Sequence, residues 1–234
     1  MFKKHKRQIA LVILAIILMG LGYNVFITRT ISTFGFFKPV GTVAIDPGHG
    51  NIDKGAVHEE TGVAESPINL AVAKELQKIL KKKGFKVVLT RDKETNEVES
   101  NTKELQRRIE LASKSKADIF VSIHANKFPD PQYFGAQCFY NPSKPESKQL
   151  ALLIQEELRI MDAENIREAL PQDLYILRES AMPAALVEMG FLSSPKDRER
   201  LQDRSYQRKM ADAIGKGIER YFSGDSISRT PDYS

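Results

Sequence analysis

Residues 43–50 read Val-Ala-Ile-Asp-Pro-Gly-His-Gly, an apolar run that stops at a polar turn. The same pattern recurs at 119–126 (Ile-Phe-Val-Ser-Ile-His-Ala-Asn) and at 185–191 (Ala-Leu-Val-Glu-Met-Gly-Phe). Short continuous apolar runs are typical of strands covered on both faces, as in an α/β sheet. In such sheets ligands bind outside the carboxyl ends of the strands. The polar residues that end these runs are therefore expected at one edge of a sheet.

The rest of the chain alternates between strand and helix patterns. Apolar residues recur at helical spacing within 68–80, 105–112, 150–161 and 210–221, and Asn101, with Glu104 three residues on, is a candidate N-cap. Further strands are predicted at 86–90, 118–124, 136–140, 174–177 and 184–188. This alternation predicts a single α/β domain with a mostly parallel or mixed central sheet, flanked by helices on both faces.

The charge of the chain is concentrated at its start. The net charge is +5, and residues 1–28 carry four Lys or Arg and no Asp or Glu, so the remainder holds 31 basic against 30 acidic residues. A nearly neutral domain without Trp argues against a nucleic-acid partner. Cys138 is the single cysteine, which rules out an intrachain disulfide; it is predicted to be buried in the strand at 136–140 and not catalytic.

The N-terminal region predicts a membrane anchor. Residues 1–8 are basic, and the 19 residues of 9–27 are apolar apart from Asn24, close to the roughly 20 that a spanning helix needs. A cleavable signal peptide, the alternative, has an apolar core of about 7–15 residues and a small-residue cleavage site. The basic end is expected in the cytoplasm and the rest outside. Residues 28–41 then form a linker, 42–222 the catalytic domain, and 223–234 a polar, disordered tail.

Two histidines and a carboxylate at one sheet edge predict a metal site. His49 and His124 both follow buried-strand patterns, and two His with one Glu are a known catalytic zinc set. Spacing alone leaves the third ligand open between four acidic residues within reach of His49: Asp46, Glu59, Glu60 and Glu65. Glu65 has the advantage of a rigid position at a helix start, although a carboxylate there can also serve only the helix dipole. A lone histidine in such a place is usually a hydrogen-bonded core residue, but two at the same sheet edge, with a third strand ending in Glu188, favour a metal.

Glu188 is a candidate general base. It extends an apolar run, and ionised carboxylates are almost never buried without a partner. Burial raises the pKa of a carboxyl group toward the range that a base needs near neutral pH. Glu188 would then deprotonate a zinc-bound water that attacks a carbonyl. The alternative is that Glu188 only satisfies a buried neighbour.

Four motifs in order resemble the zinc-dependent N-acetylmuramoyl-L-alanine amidases of the type 3 family. They are residues 46–50, Glu65 with Asn69-Leu70, residues 122–126, and residues 183–192, and the resemblance covers about 43–222. It implies Zn²⁺ held by His49, Glu65 and His124, with Glu188 as the catalytic carboxylate and Asn126 as a substrate contact. It also implies cleavage of the amide between N-acetylmuramic acid and L-alanine in peptidoglycan. The family often has Asn where this chain has Ser194, and Ser caps the following helix about as well.

The short length and single anchor are similar to the spore-cortex amidases of endospore formers, which strip peptides so that muramic δ-lactam can form. This narrower resemblance implies a role in cortex maturation or wall remodelling, at the cell surface or between the forespore membranes. The competing hypotheses are another zinc hydrolase of wall peptides, such as a carboxypeptidase, and a catalytically silent wall-binding protein. The sequence does not identify a protein activator, the oligomeric state or the cross-linking of the preferred substrate.

Overall fold

The computed structural model describes residues 16–20, 23, 39–50, 52–94 and 100–226. The chain divides into two compact units, Met1–Lys38 and Pro39–Ser234. In the first unit, residues 16–20 and 23 are helical, and the rest of the predicted span at 9–27 lies outside the described residues. No helix within the described parts of the chain is long and apolar enough to cross a membrane. Residues 28–38 of the predicted linker (28–41) and residues 227–234 of the predicted tail (223–234) also lie outside the described residues.

The second unit alternates strands and helices along the chain. Its strands are β1 (Thr42–Pro47), β2 (Lys86–Leu89), β3 (Ile119–Asn126), β4 (Gln137–Tyr140), β5 (Leu170–Pro171) and β6 (Ala184–Phe191). Its helices are α1 (Glu65–Lys82), α2 (Asn101–Lys114), α3 (Pro145–Met161), α4 (Tyr175–Glu179), α5 (Pro195–Gln202) and α6 (Arg204–Phe222).

The strands form one mixed sheet in the order β2-β1-β3-β6-β4-β5. The pairs β1–β2, β1–β3 and β3–β6 are parallel, β4 runs antiparallel to β6, and β5 is parallel to β4. β1, β3 and β6 are the three runs that the sequence singled out, and they lie side by side. Their carboxyl ends consequently share one edge, as predicted.

Each face of the sheet has its own core, because side chains alternate along a strand. On the first face, residues such as Ile45, Val121 and Val187 pack with buried side chains of α1, α3 and α6. On the second face, a smaller cluster joins Ala44, Phe120 and Leu186 to α2 and α4. Helices therefore cover both faces, which confirms the predicted class. The second face is covered by fewer residues, and its carboxyl edge is where the polar side chains lie.

Helices α3 and α6 approach each other closely at Gly217. A Cβ atom built on Gly217 would lie 2.5 Å from Cα of Ile154, well inside van der Waals contact. A glycine is required there because the backbone of α3 occupies the space of a side chain. Gly215, two residues earlier in α6, is less crowded, since a Cβ atom there would meet only side-chain methyl groups, at 3.3 and 3.5 Å, and these can shift slightly.

Two predictions of local structure are wrong, and one short strand was missed. Residues 174–177 are not a strand: α4 begins at Tyr175, and it packs Ile176 and Leu177 on the second face. β5, two residues long and exposed, was not predicted. The N-cap of α2 is Ser100 and not Asn101, and its side chain makes no capping hydrogen bond. At α5 the prediction is confirmed, because the side chain of Ser194 accepts a hydrogen bond from the Asp197 amide.

Candidate active site

His49 lies in the loop that follows β1, in a conformation that side chains rarely adopt. Its φ is +59°, in the left-handed region that costs a non-glycine residue about 1–3 kcal/mol. Gly48 precedes it, and a Cβ atom on Gly48 would lie 2.1 Å from Cε1 of His124. The loop can therefore bring His49 beside His124 only because residue 48 has no side chain.

Glu65 is the first residue of α1 and is held by several donors. Its Oε2 accepts from the Ala56 amide at 2.8 Å, and its Oε1 accepts from Asn69 Nδ2 at 3.0 Å and from the Ala125 amide at 3.1 Å. The residue is 4% exposed. A buried carboxylate with these fixed donors is aimed at a single position, which supports its selection among the four candidates.

His49, Glu65 and His124 form one cluster, whose potential ligand atoms all lie within 4.8 Å of one another. Oε1 of Glu65 lies 2.9 Å from Nδ1 of His124 and 3.3 Å from Nε2 of His49. Ligands at the usual zinc distances, in a tetrahedral arrangement, are about 3.3 Å apart. The donor set and its spacing therefore fit a zinc-type ion, and the atoms that would hold it are these three.

The other nitrogen of each imidazole has a partner of its own. Nδ1 of His49 lies 2.7 Å from Oδ2 of Asp53, and Nε2 of His124 lies 3.1 Å from Oγ of Ser122. Ser122 in turn donates to Asp46 at 2.7 Å. Such partners fix the tautomer and ring orientation of metal-binding histidines, so both rings are oriented toward the Glu65 carboxylate.

Two buried arginines hold the loop that carries His49. Arg108, on α2, donates to Asp46 at 2.9 Å, to the Pro47 carbonyl at 2.8 Å, and also to the His49 carbonyl. Arg91 donates to the carbonyls of Pro47 at 2.8 Å and Gly48 at 3.0 Å. Burial opposes ionisation of Asp46, but Arg108 and hydroxyl donors outweigh it and lower its pKa. Asp46 is therefore a structural anion paired with Arg108 and is not positioned as a metal ligand.

The electrostatics of the cluster favour positive charge. Burial opposes protonation of His49, yet the carboxylates of Glu65 and Asp53 outweigh it and raise its pKa to about 9. Burial likewise opposes ionisation of Glu65, but both histidines lower its pKa far below the ordinary value. A site that stabilises an imidazolium this strongly has the negative potential that a metal cation requires.

Glu188, on β6, is paired in register with His124 on β3. Its Oε2 is buried, without a hydrogen-bond partner among the described residues. Burial raises the pKa of Glu188 to about 7, with Glu65 adding to the rise and both histidines opposing it. A carboxyl group that exchanges its proton near neutral pH, one strand from the cluster, can act as a general acid and base.

The remaining candidates lie apart from the cluster. Glu59 and Glu60 are exposed, and His58 contacts Thr61 in an exposed loop. Asn126 lies at the end of β3, where its side chain accepts from the Lys127 amide at 2.8 Å; a contact with substrate stays a prediction. A small cleft of about 140 Å³, which includes His49, His124 and Arg108, opens at the cluster.

The arginines and Ser122 were missed as supporting residues. Only Arg108 could have been noticed from the sequence, because it lies among Leu105, Ile109 and Ala112 on the apolar face of α2. A charged residue on such a face needs a buried partner, but spacing does not indicate that the partner is Asp46.

The sequence of this chain is similar to those of known amidases. Residues 43–220 match the N-acetylmuramoyl-L-alanine amidase family. A germination-specific N-acetylmuramoyl-L-alanine amidase of Bacillus subtilis (strain 168) is 35% identical over 190 residues, which cover 77% of this chain and 79% of the relative.

Solved structures are similar as well. The CwlD amidase from Clostridioides difficile, determined in complex with the GerS lipoprotein, is 39% identical with a TM-score of 0.74, over 79% of this chain and 100% of that one. The amidase AmiC2 of Nostoc punctiforme is 35% identical with a TM-score of 0.70, over 79% and 98%. With its sheet, its His-Glu-His cluster and Glu188 in place, the chain belongs to the N-acetylmuramoyl-L-alanine amidase family and is an enzyme of that family.

Proposed function

We propose that the protein is a zinc-dependent hydrolase that cleaves the amide between the lactyl group of N-acetylmuramic acid and L-alanine in peptidoglycan. The observation that carries this proposal is the cluster of His49, Glu65 and His124 with Glu188 on the adjacent strand. A bound zinc ion would polarise the carbonyl and lower the pKa of a water to about 7.

The chain's own residues account for the proton transfers. Glu188, with its pKa near 7, accepts a proton from the attacking water and returns it to the amine that leaves. Its buried Oε2 has no competing partner among the described residues, so that oxygen is free to face the reacting atoms. Asp53 and Ser122 hold the imidazole rings in place, and Arg108 fixes the loop that carries His49.

The biological setting that we propose is spore-cortex maturation through muramic δ-lactam formation, or more general wall remodelling. Support comes from the germination-specific relative and from the narrower resemblance of the sequence. We also propose that residues 9–27 anchor the chain, with the catalytic domain outside the cytoplasm, because that stretch is apolar over a spanning length and follows a basic start. Protease added to cells stripped of their wall should remove the domain; complete protection would refute this topology.

A protein partner is part of the proposal. The related CwlD amidase was solved in complex with the GerS lipoprotein, which supports a partner of similar kind for this chain. Co-purification from cells that make the protein tests this directly, with a chain lacking residues 1–38 as the comparison for partners that require the N-terminal region.

Digestion of purified wall by the full-length chain tests the reaction. Mass spectrometry should find peptides with a free N-terminal L-alanine and glycan strands with an intact lactyl group. Release of D-alanine from peptide ends would instead indicate a carboxypeptidase, and no release from a folded, zinc-loaded protein would indicate a silent wall-binding protein. His124→Ala should lose both zinc and activity, whereas full zinc occupancy in that variant would refute the ligand assignment.

A further inference from the structure

Three polar side chains form a row across the second face of the sheet at its carboxyl edge. His124 of β3 pairs in register with Glu188 of β6, and Glu188 pairs with Gln137 of β4. Residues directly opposite on neighbouring strands point to the same face, and the strands are about 4.8 Å apart. The row therefore continues from the metal-ligand cluster, past Glu188, to Gln137.

Arg167 lies at the far end of this row. Its Nη1 donates to Oε1 of Gln137 at 3.2 Å, and its Nε donates to the Phe134 carbonyl at 2.7 Å. Its guanidinium lies over the rings of Phe191, at 4.5 Å, and Tyr133, at 5.4 Å. Two hydrogen bonds and two rings hold the group in one orientation, which is unusual for an arginine that forms no ion pair.

The charge of Arg167 is not matched by a direct partner. Within the described segments the side chain of Arg167 donates only from Nε and Nη1, and it forms no salt bridge there. Burial lowers the pKa of Arg167, while Asp197 opposes that change from a distance. Asp197 itself is buried and accepts from the amides of Gly135 and Phe191. A guanidinium with five donors is thus fixed and partly desolvated while donors on Nη2 stay unused.

A groove of about 460 Å³ surrounds this guanidinium, with Tyr133, Phe134, Ile166 and Leu170 along its walls. Three acidic residues also line it: Asp130, Glu164 and Glu168. Glu164 already pairs with Lys196 at 2.6 Å, and the other two are exposed. These acidic residues oppose any anion in the groove, most strongly a polyanion, so a carboxylate would have to bind in direct contact with Arg167.

The position of Glu188 indicates which part of the substrate would reach this groove. The peptide leaves as an amine that must take a proton, and Glu188 is the group positioned to supply it. A peptide that is protonated by Glu188 as it leaves would therefore extend to the Glu188 side of the cluster, toward Gln137 and Arg167.

We propose that Arg167 and its groove form a subsite that binds a carboxylate of the stem peptide, on the residue that follows L-alanine. The proposal rests on the amidase function proposed above. Arginine suits the task because its planar fork pairs with both oxygens of a carboxylate. Arg167 is then a specificity-determining residue for acidic peptides and takes no part in the bond cleavage.

A matched pair of substrates tests the subsite. One is a disaccharide carrying L-alanyl-D-glutamate, and the other is the same compound with both glutamate carboxylates converted to amides. The full-length wild-type chain should prefer the acid. Arg167→Gln should raise KM for the acid about tenfold with little change in kcat, because lost uniform binding appears in KM, and the acid-to-amide ratio of kcat/KM should fall toward one. Arg208→Gln, an exposed arginine of α6 on the opposite side of the sheet, should leave that ratio unchanged.

Calorimetric binding of the product dipeptide L-alanyl-D-glutamate to chelator-treated protein gives a readout that does not depend on turnover. Arg167→Gln should weaken it about tenfold, and Arg167→Lys, which keeps the charge without the fork, should be intermediate. If wild type cleaves both substrates but Arg167→Gln keeps the wild-type ratio, the subsite is refuted while the amidase function stands. If folded wild type cleaves neither, the amidase function fails, and dipeptide binding alone decides whether Arg167 binds carboxylates. Should Arg167→Gln not fold, an unchanged ratio in Arg167→Lys refutes the proposal.

Discussion

Glu188 is buried and lies on β6, the strand next to the one that carries His124 of the His49–Glu65–His124 cluster. Glu188→Gln should keep bound metal but lower kcat about 10²–10⁴-fold, since the amide preserves volume and removes the proton acceptor. In wild type, kcat/KM should fall as pH drops below about 7, because the ionised base disappears; that acid limb should flatten in the variant. Turnover and zinc content are the measurements, with Glu110→Gln on the exposed surface of α2 as control.

The burial of Glu188 should also make the stability of the fold depend on pH. The pKa of Glu188 is raised from about 4.5 to about 7 in the fold, so the native state binds a proton that the unfolded chain does not between these pH values. Stability is therefore lost as pH rises through that window, by up to about 3 kcal/mol at about 1.4 kcal/mol per unit. Metal-free Glu188→Gln should melt higher than wild type at pH 8 and equally at pH 4. A lower melting temperature at pH 8 would contradict this.

Gly48 gives a second residue-scale prediction. Gly48→Ala should displace His124, because the new Cβ atom would lie 2.1 Å from its ring, and the variant should lose metal affinity at least tenfold. Gly62→Ala is the matched control: Gly62 also lies in a loop, with a φ of +70° and no atom near its Cβ position. That control should lose some stability through backbone strain and retain metal. Equal metal affinity in wild type and Gly48→Ala would refute the close-approach argument.

At the scale of elements, the sequence predicted the strands that matter most for function. β1, β3 and β6 are continuous apolar runs, a pattern typical of strands buried on both faces, so they could be predicted without any tertiary information. The strand predicted at 174–177 is wrong, because a short apolar run is equally consistent with a buried helical turn. Only packing against the second-face core around Phe120 favours the helix. The contacts of Arg167 could not be predicted from the sequence, since its partner Gln137 is 30 residues away and only the tertiary fold brings the two together.

The contact between α3 and α6 tests the packing of elements. Gly217→Ala should destabilise the protein by about 1–3 kcal/mol, because its Cβ would overlap the backbone of Ile154 and the helices would have to separate. Gly215→Ala in the same helix should change stability by less than about 1 kcal/mol, because the helix preference of alanine is offset by the shift required of the methyl group 3.3 Å away. Chemical denaturation of both variants measures the difference. The reverse order of stability would show that the close approach is not required.

At the scale of the whole molecule, the three proposed metal ligands come from distant parts of the chain. His49, Glu65 and His124 meet only after β1, α1 and β3 have packed, so a metal that binds them binds the native state. Zinc at a hundred times its Kd should then stabilise the fold by about 2.7 kcal/mol, a rise in Tm of about 5–10 °C for a domain of this size. Melting curves with zinc and with chelator measure this. An equal rise in His124→Ala would mean that the stabilising ion binds elsewhere.

The position of β6 determines when the sheet can form during synthesis of the chain. β6 is the last strand in the sequence, yet it lies between β3 and β4 in the sheet. Until residues 184–191 have left the ribosome, β3 has an unpaired edge and β4 with β5 has nothing to join. Glu188 lies on that same strand, so the carboxylate that we propose as the general base is synthesised together with the strand that joins β3 to β4. Before β6 is synthesised, the unpaired edge of β3 is open to pairing with other chains, and the chain still lacks Glu188.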